Sequence, residues 1–167
     1  MKPQAVAALA ATALALLLSA CSQVVDQAYE GYPPSSDLKL ASFSGATSVY
    51  GSVNPDSDAR TLVRDSYAKL GTSQYTISSR TRDDEIKRVA HDKGADIVLV
   101  AIRVPQSSQY YAPALVDDNG NLFVLAPYAS NNTTAVATGH FQGSPPLPAN
   151  GADVEYVVTF WRRATTS

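Results

Sequence analysis

The hydrophobic pattern is clearest over residues 79–104. Ile97-Val98-Leu99-Val100-Ala101-Ile102 is a continuous apolar run rich in β-branched residues. That pattern predicts a strand with both faces covered, lying in the middle of a sheet. Just upstream, Ile86, Val89 and Ala90 recur at helical spacing. Thr81, three residues before Asp84, resembles a helix N-cap, and Asp83, Asp84 and Glu85 suit the positive end of the helix dipole. Asp83 with Lys87 and Asp84 with Arg88 are i,i+4 pairs on the outer face, each contributing roughly 0.2–0.5 kcal/mol. His91 suits the cation-tolerant last turn, and Gly94 can end the helix in a left-handed turn.

Weaker patterns flank this unit. Asp56 to Asp65 predicts a short helix with Leu62 and Val63 inward, and Ala68 to Tyr75 a strand, completing a strand–helix–strand unit. After a break at Pro105, the runs Tyr110 to Val116 and Leu122 to Leu125 enclose Asp117-Asp118-Asn119-Gly120-Asn121, a hairpin turn by composition. Thr133 to Thr138 can form a further strand. Phe141 to Ala152, rich in Pro and Gly, reads as an exposed loop, and Val154 to Trp161 (VEYVVTFW) as a strand. The predicted fold class is α+β, with one or two helices packed on a mixed β-sheet of about four to six strands.

Residues 1–20 follow a different rule. They hold 15 hydrophobic residues and a single charge, Lys2. The run Ala5 to Leu18 has 14 residues, short of the ~20 that cross a hydrocarbon core as a helix, and matches the apolar region of a secretory signal ending in the small pair Ser19-Ala20. This segment biases the overall composition of 167 residues, 45% hydrophobic, with net charge −2. Beyond it remain 147 residues with 12 basic against 15 acidic side chains, an ordinary composition with room for one core. Without a dense basic face, nucleic acid is excluded as a partner. One cysteine rules out an internal disulfide framework and a Cys-rich zinc site.

That cysteine carries a resemblance. Leu18-Ser19-Ala20-Cys21 resembles the lipobox of bacterial lipoproteins, directly after the apolar run. The resemblance implies cleavage between Ala20 and Cys21, diacylglycerol on the Cys21 sulfur and usually acylation of the new amine; two or more acyl chains anchor stably. Ser22 in place of Asp implies the outer membrane, facing the periplasm. The expected organisation is a signal over residues 1–20, a flexible Pro- and Ser-containing tether over 21–37 that holds the body off the bilayer, and one α+β domain over 38–167. Tyr29 and Tyr32 are read as idle within that tether. From Leu62 onward the order of features is similar to a group of bacterial envelope lipoproteins with a small α+β domain. The matching parts are Leu70-Gly71-Thr72-Ser73-Gln74-Tyr75, Lys93-Gly94-Ala95-Asp96 leading into Ile97, and Tyr156 to Trp161. The resemblance supports a strand over 68–75 and implies no catalytic motif.

Catalytic templates find no complete match. His91 and His140 lack a second ligand at metal spacing, so no metal or cofactor is expected. Asp117-x-Asn119-x-Asn121 has its glycine at 120 and no bidentate Glu, so a turn accounts for it better than a calcium loop. Gly71-Thr72-Ser73 lacks the second glycine of a nucleophile elbow, Tyr75 standing there, and no phosphate-binding glycine pattern occurs. Arg80, Arg82, Lys87 and Arg88 alternate with acids, as on a solvated helix face, and Arg162 and Arg163 mark a strand end. Nine tyrosines outnumber four Phe and one Trp. Tyr110, Tyr111, Tyr128 and Trp161 are the candidate recognition surface, with core packing as the plainer role. The sequence thus leads to a lipid-anchored envelope protein that binds a protein or envelope component. The alternative is a periplasmic small-molecule binder or hydrolase drawing on Asp117, Asp118, His140 and the tyrosines.

Overall fold

The run VEYVVTFW forms the central strand of the sheet. A computed structural model describes residues 24–34, 38–104, 108–128 and 153–165. In chain order its elements are α1 (Val24–Gln27), β1 (Tyr29–Gly31), β2 (Lys39–Leu40), β3 (Ser48–Gly51), α2 (Pro55–Arg64), β4 (Tyr67–Ile77), α3 (Asp83–Lys93), β5 (Ile97–Arg103), β6 (Tyr110–Tyr111), β7 (Ala114–Val116), β8 (Leu122–Val124) and β9 (Val154–Thr165). β9 runs antiparallel to both of its neighbours, β4 and β5; β1 adds antiparallel to β4, and β3 adds parallel to β5. The order is β1-β4-β9-β5-β3, with β2 on the end of β9 and β6 on the end of β5. β7 and β8 form a separate two-stranded hairpin.

The α+β class is the one predicted, but among the described residues the main sheet has seven strands rather than four to six, and there are three helices rather than one or two. The elements not anticipated, α1, β1, β2 and β3, have two to four residues each, too short to display a period. The strand expected over 68–75 extends from Tyr67 to Ile77. The run from Tyr110 to Val116 is split into β6 and β7 at Ala112 and Pro113.

β3, β4 and β5 run in one direction, so α2 and α3 are crossover helices. Residues alternate between faces along a strand. Val98, Val100 and Val158 meet Ile86, Val89 and Phe160 in the α3-side core. Leu62 of α2 meets Ile97, Leu99 and Trp161 on the opposite side. Each large buried side chain contributes roughly 1.5–3 kcal/mol. The α3 side, with many more of them, therefore carries most of the stability.

Both helices differ in detail from the pattern. α2 begins at Pro55 behind Asn54, whose side chain accepts from the Ser57 N–H at 3.2 Å. Val63, expected inside, is 63% exposed, because one residue turns it about 100° from Leu62. In α3 the cap position falls on Arg82 without a side-chain bond. Thr81 is buried, and its hydroxyl lies 3.0 Å from the Tyr75 hydroxyl instead of capping the helix. Asp83 pairs with Lys87 but is largely buried, so it does not belong to the outer face. Asp84 pairs with Arg82 at 2.9 Å and Arg88 with Asp92 at 3.4 Å, in place of the expected Asp84–Arg88 pair. Gly94 does end the helix left-handed, at φ 68° and ψ 37°.

The largest correction concerns the tether. Residues 24–34 are not free: α1 and β1 are packed on the body, which begins at least at Val24 rather than near Leu38. Val25 is fully buried, its N–H donating to Glu85 Oε1 at 3.1 Å and its carbonyl accepting from Ser73 Oγ at 2.7 Å. Tyr29 is not idle either. Its ring meets Phe160 edge-on at 5.4 Å, and its hydroxyl donates to the Leu70 carbonyl at 3.0 Å. Tyr32 lies beneath the Lys69 ammonium at 4.9 Å. The signal, its junction at Ala20 and Cys21, the strand expected over 133–138 and the loop over 141–152 lie outside the described residues. Among those described, no helix is long and apolar enough to cross a membrane.

The β1 contact depends on the missing side chain of Gly71, where a Cβ would come 2.5 Å from Tyr29 Cζ and 2.6 Å from the Glu30 carbonyl. Gly71→Ala is expected to push β1 and α1 off the sheet edge at a cost of about 1–3 kcal/mol. Hydrogen exchange at the Val25 and Tyr32 amides should then approach the unprotected rate while β5 stays protected. Unchanged exchange at both amides would contradict this packing.

Candidate functional site

Where the three parallel strands begin, a groove of 490 Å³ opens beside the end of α2. The local sequence builds it through a sharp change of direction. α2 ends at Asp65, and Ser66 takes φ 64°, its N–H on the Val63 carbonyl at 3.1 Å and its own carbonyl accepting from Ala164 at 2.7 Å. Few non-glycine residues adopt that backbone. The turn sets Asp65 and Tyr67 side by side at the rim, where β3 brings Tyr50 and the end of β9 brings Arg163.

The groove is polar and aromatic. Tyr128 donates its hydroxyl to Asp65 Oδ2 at 2.8 Å and meets the Tyr50 ring edge-on at 5.4 Å. Arg163 donates from Nη2 to the Tyr67 hydroxyl at 3.0 Å, with its guanidinium 5.3 Å from that ring's centre. Asp96 Oδ2 accepts from the Arg163 backbone N–H at 2.9 Å, fixing the end of β9. Burial, reinforced by the bond to Asp65 and by that carboxylate's charge, pushes the Tyr128 phenol above its ordinary value. The hydrogen bond to Tyr67 strengthens the basicity of Arg163. The site therefore brings three tyrosine rings together with one arginine and two acidic side chains. Rigid tyrosines give contact area at low entropy cost, so the arrangement is suited to binding.

The four residues proposed from the sequence do not form one surface. Tyr128 is in the groove. Trp161 lies in the same cluster but is buried beneath it, its indole N–H on Thr159 Oγ1 at 2.8 Å. Tyr110 and Tyr111 sit at the far end of β5, Tyr111 against the α3-side core and Tyr110 5.8 Å from the Arg103 guanidinium. Sequence reading missed Tyr50, Asp65, Tyr67, Asp96 and Arg163. Asp65-x-Tyr67 across a helix-to-strand junction was the one local signal.

The rival residues are engaged elsewhere. Asp117 Oδ1 accepts from the Asn119 and Asn121 N–H groups at 2.9 and 2.7 Å. These bonds, led by that from the Asn121 side chain, hold its carboxyl below the usual range. Asp118 is exposed, 3.7 Å from Arg82. His140 lies outside the described residues. Among those described, no group of three His, Cys, Asp or Glu could hold a metal. No protein-family model matches the chain, and neither curated proteins nor solved structures give a match.

Tyr75, Tyr128 and Tyr156 all have phenols raised chiefly by burial. A raised folded-state value means that their contribution is complete below the unfolded value of about 10 and is lost as pH rises beyond it. The denaturation midpoint should therefore stay level through neutrality and fall above about pH 10. In Asp65→Asn, one phenol should titrate closer to the ordinary value in ultraviolet difference spectra, because no carboxylate then opposes its ionisation. A titration curve identical to the parent's would contradict the coupling.

Proposed function

We propose that this protein is a lipid-anchored component of the bacterial cell envelope that acts by binding. Its recognition site for a protein or other envelope component is the groove formed by Tyr50, Tyr67, Tyr128 and Arg163. The groove is the observation that carries this reading: three tyrosine rings beside a cation and two carboxylates are contact chemistry. The lipobox-like Leu18-Ser19-Ala20-Cys21 supports the anchor, and Ser22 supports the outer membrane, with the domain on the periplasmic side. The similarity to bacterial envelope lipoproteins over Leu62 to Trp161 points the same way.

Anchor and site are tested separately. Cys21→Ala should abolish incorporation of labelled palmitate and move the protein from the membrane to the soluble fraction; unchanged labelling would defeat the anchor. For the site, the anchored protein is captured from solubilised envelopes beside a Tyr67→Ala, Arg163→Ala form with unchanged circular dichroism. Truncating a central tyrosine of an interface typically costs about 2 kcal/mol, roughly 30-fold in affinity. A bound component should thus be lost from the variant. Equal recovery from both would remove the groove from consideration.

A further inference from the structure

At the opposite end of the parallel strands a second groove, of 840 Å³, opens between α1, the turn leading out of β4, and α3. Val24 and Ile77 form its apolar wall, and Arg80, Arg82 and Arg88 its cationic rim. The acids beside them are mostly committed. Glu85 is turned inward onto the Val25 N–H, and Asp84 is held by Arg82 at 2.9 Å. Arg82 also has Asp118 at 3.7 Å, and Arg88 reaches Asp92 at 3.4 Å, both contacts between exposed groups.

Val24 stands three residues after Cys21. Three peptide steps span at most about 11 Å. The headgroup layer of each leaflet is roughly 5–8 Å thick. If Cys21 bears acyl chains, Val24 is therefore held at or within a few ångströms of the headgroups. Val25 is fully buried and bonded through both its backbone groups, so α1 cannot swing away and carries the groove with it. We propose that this groove is the protein's seat on the bilayer and takes the phosphate of a phospholipid headgroup from the leaflet that holds the Cys21 acyl chains. This rests on the lipid-anchor reading. Arginine suits the role because its planar fork matches phosphate oxygens. Each basic residue at an anionic surface shifts occupancy about fivefold. With this end on the membrane, the 11 residues of β4 carry the tyrosine groove roughly 33 Å along the strand direction from the headgroup site.

The test uses the acylated full chain in vesicles of phosphatidylethanolamine and phosphatidylglycerol, with a nitroxide on Ser78→Cys or, separately, Ser48→Cys. Both positions are exposed, the first beside the headgroup groove and the second at the tyrosine groove. Relaxation by a water-soluble nickel chelate should be several-fold weaker for the Ser78 label than for the Ser48 label. Arg80→Glu with Arg88→Glu should remove that protection while the protein still floats with the vesicles. Equal nickel access at both labels in floating protein would overturn the seat and leave the anchor standing. Protection that survives both charge reversals would overturn the phosphate assignment. A chain that neither carries acyl groups nor floats would bring down the anchor and the seat together.

Discussion

The structure depends on the pairing of β9 with both β4 and β5. Those two strands are parallel and would otherwise present unpaired edges to each other across a gap one strand wide. β9 fills the gap antiparallel, with ten residue partners on β4 and seven on β5. It also supplies Val158 and Phe160 to the α3-side core and Trp161 to the α2-side core. Neither core is complete without it. Its far end then places Arg163, so the register that closes the sheet also sets the tyrosine groove.

The N-terminal segment is secured by a different interaction. The peptide groups of Val25 are buried, and buried backbone polar groups without partners cost about 1–3 kcal/mol each. Glu85 of α3 supplies the acceptor and Ser73 of β4 the donor. The segment is thus tied to the helix and strand on either side of one crossover. Lys93 adds an ion pair to Asp26 at 2.8 Å and lies 4.7 Å from the centre of the Tyr29 ring. These contacts turn what reads as spacer into part of the body.

Local features were legible in the sequence where one stretch contains its own cause. Ile97 to Ile102 needed only its apolar run, Gly94 only its position after a helical period, and Asp117 to Asn121 only its turn residues. The fold class followed from those. The N-terminal docking was illegible because its partners, Ser73 and Glu85, lie far along the chain and neither announces an acceptor or donor role. Thr81 misled for the same reason: its hydroxyl faces Tyr75 across the core, and that competing partner is invisible in a capping pattern. The tyrosine groove joins residues from β3, the α2–β4 junction, the segment after β8 and the end of β9. Counting tyrosines raised the right residue type. Only the sheet order showed which of them meet, and it brought Tyr128 to Tyr50 and Tyr67 rather than to Tyr110 and Tyr111.

The place of β9 in the sheet has a consequence for the order of events in time. Of the described elements it is the last to be synthesised, yet it belongs at the centre. Until residues 154–165 have emerged, β4 and β5 each lack a neighbour, and neither core has the β9 side chains that complete it. Closure must therefore wait for β9 to emerge, since long-range pairing waits on the cost of closing the loop. A ribosome that stops short of β9 releases a product with two open strand edges, the feature that invites aggregation. Vectorial synthesis thus makes this fold all-or-none with respect to β9.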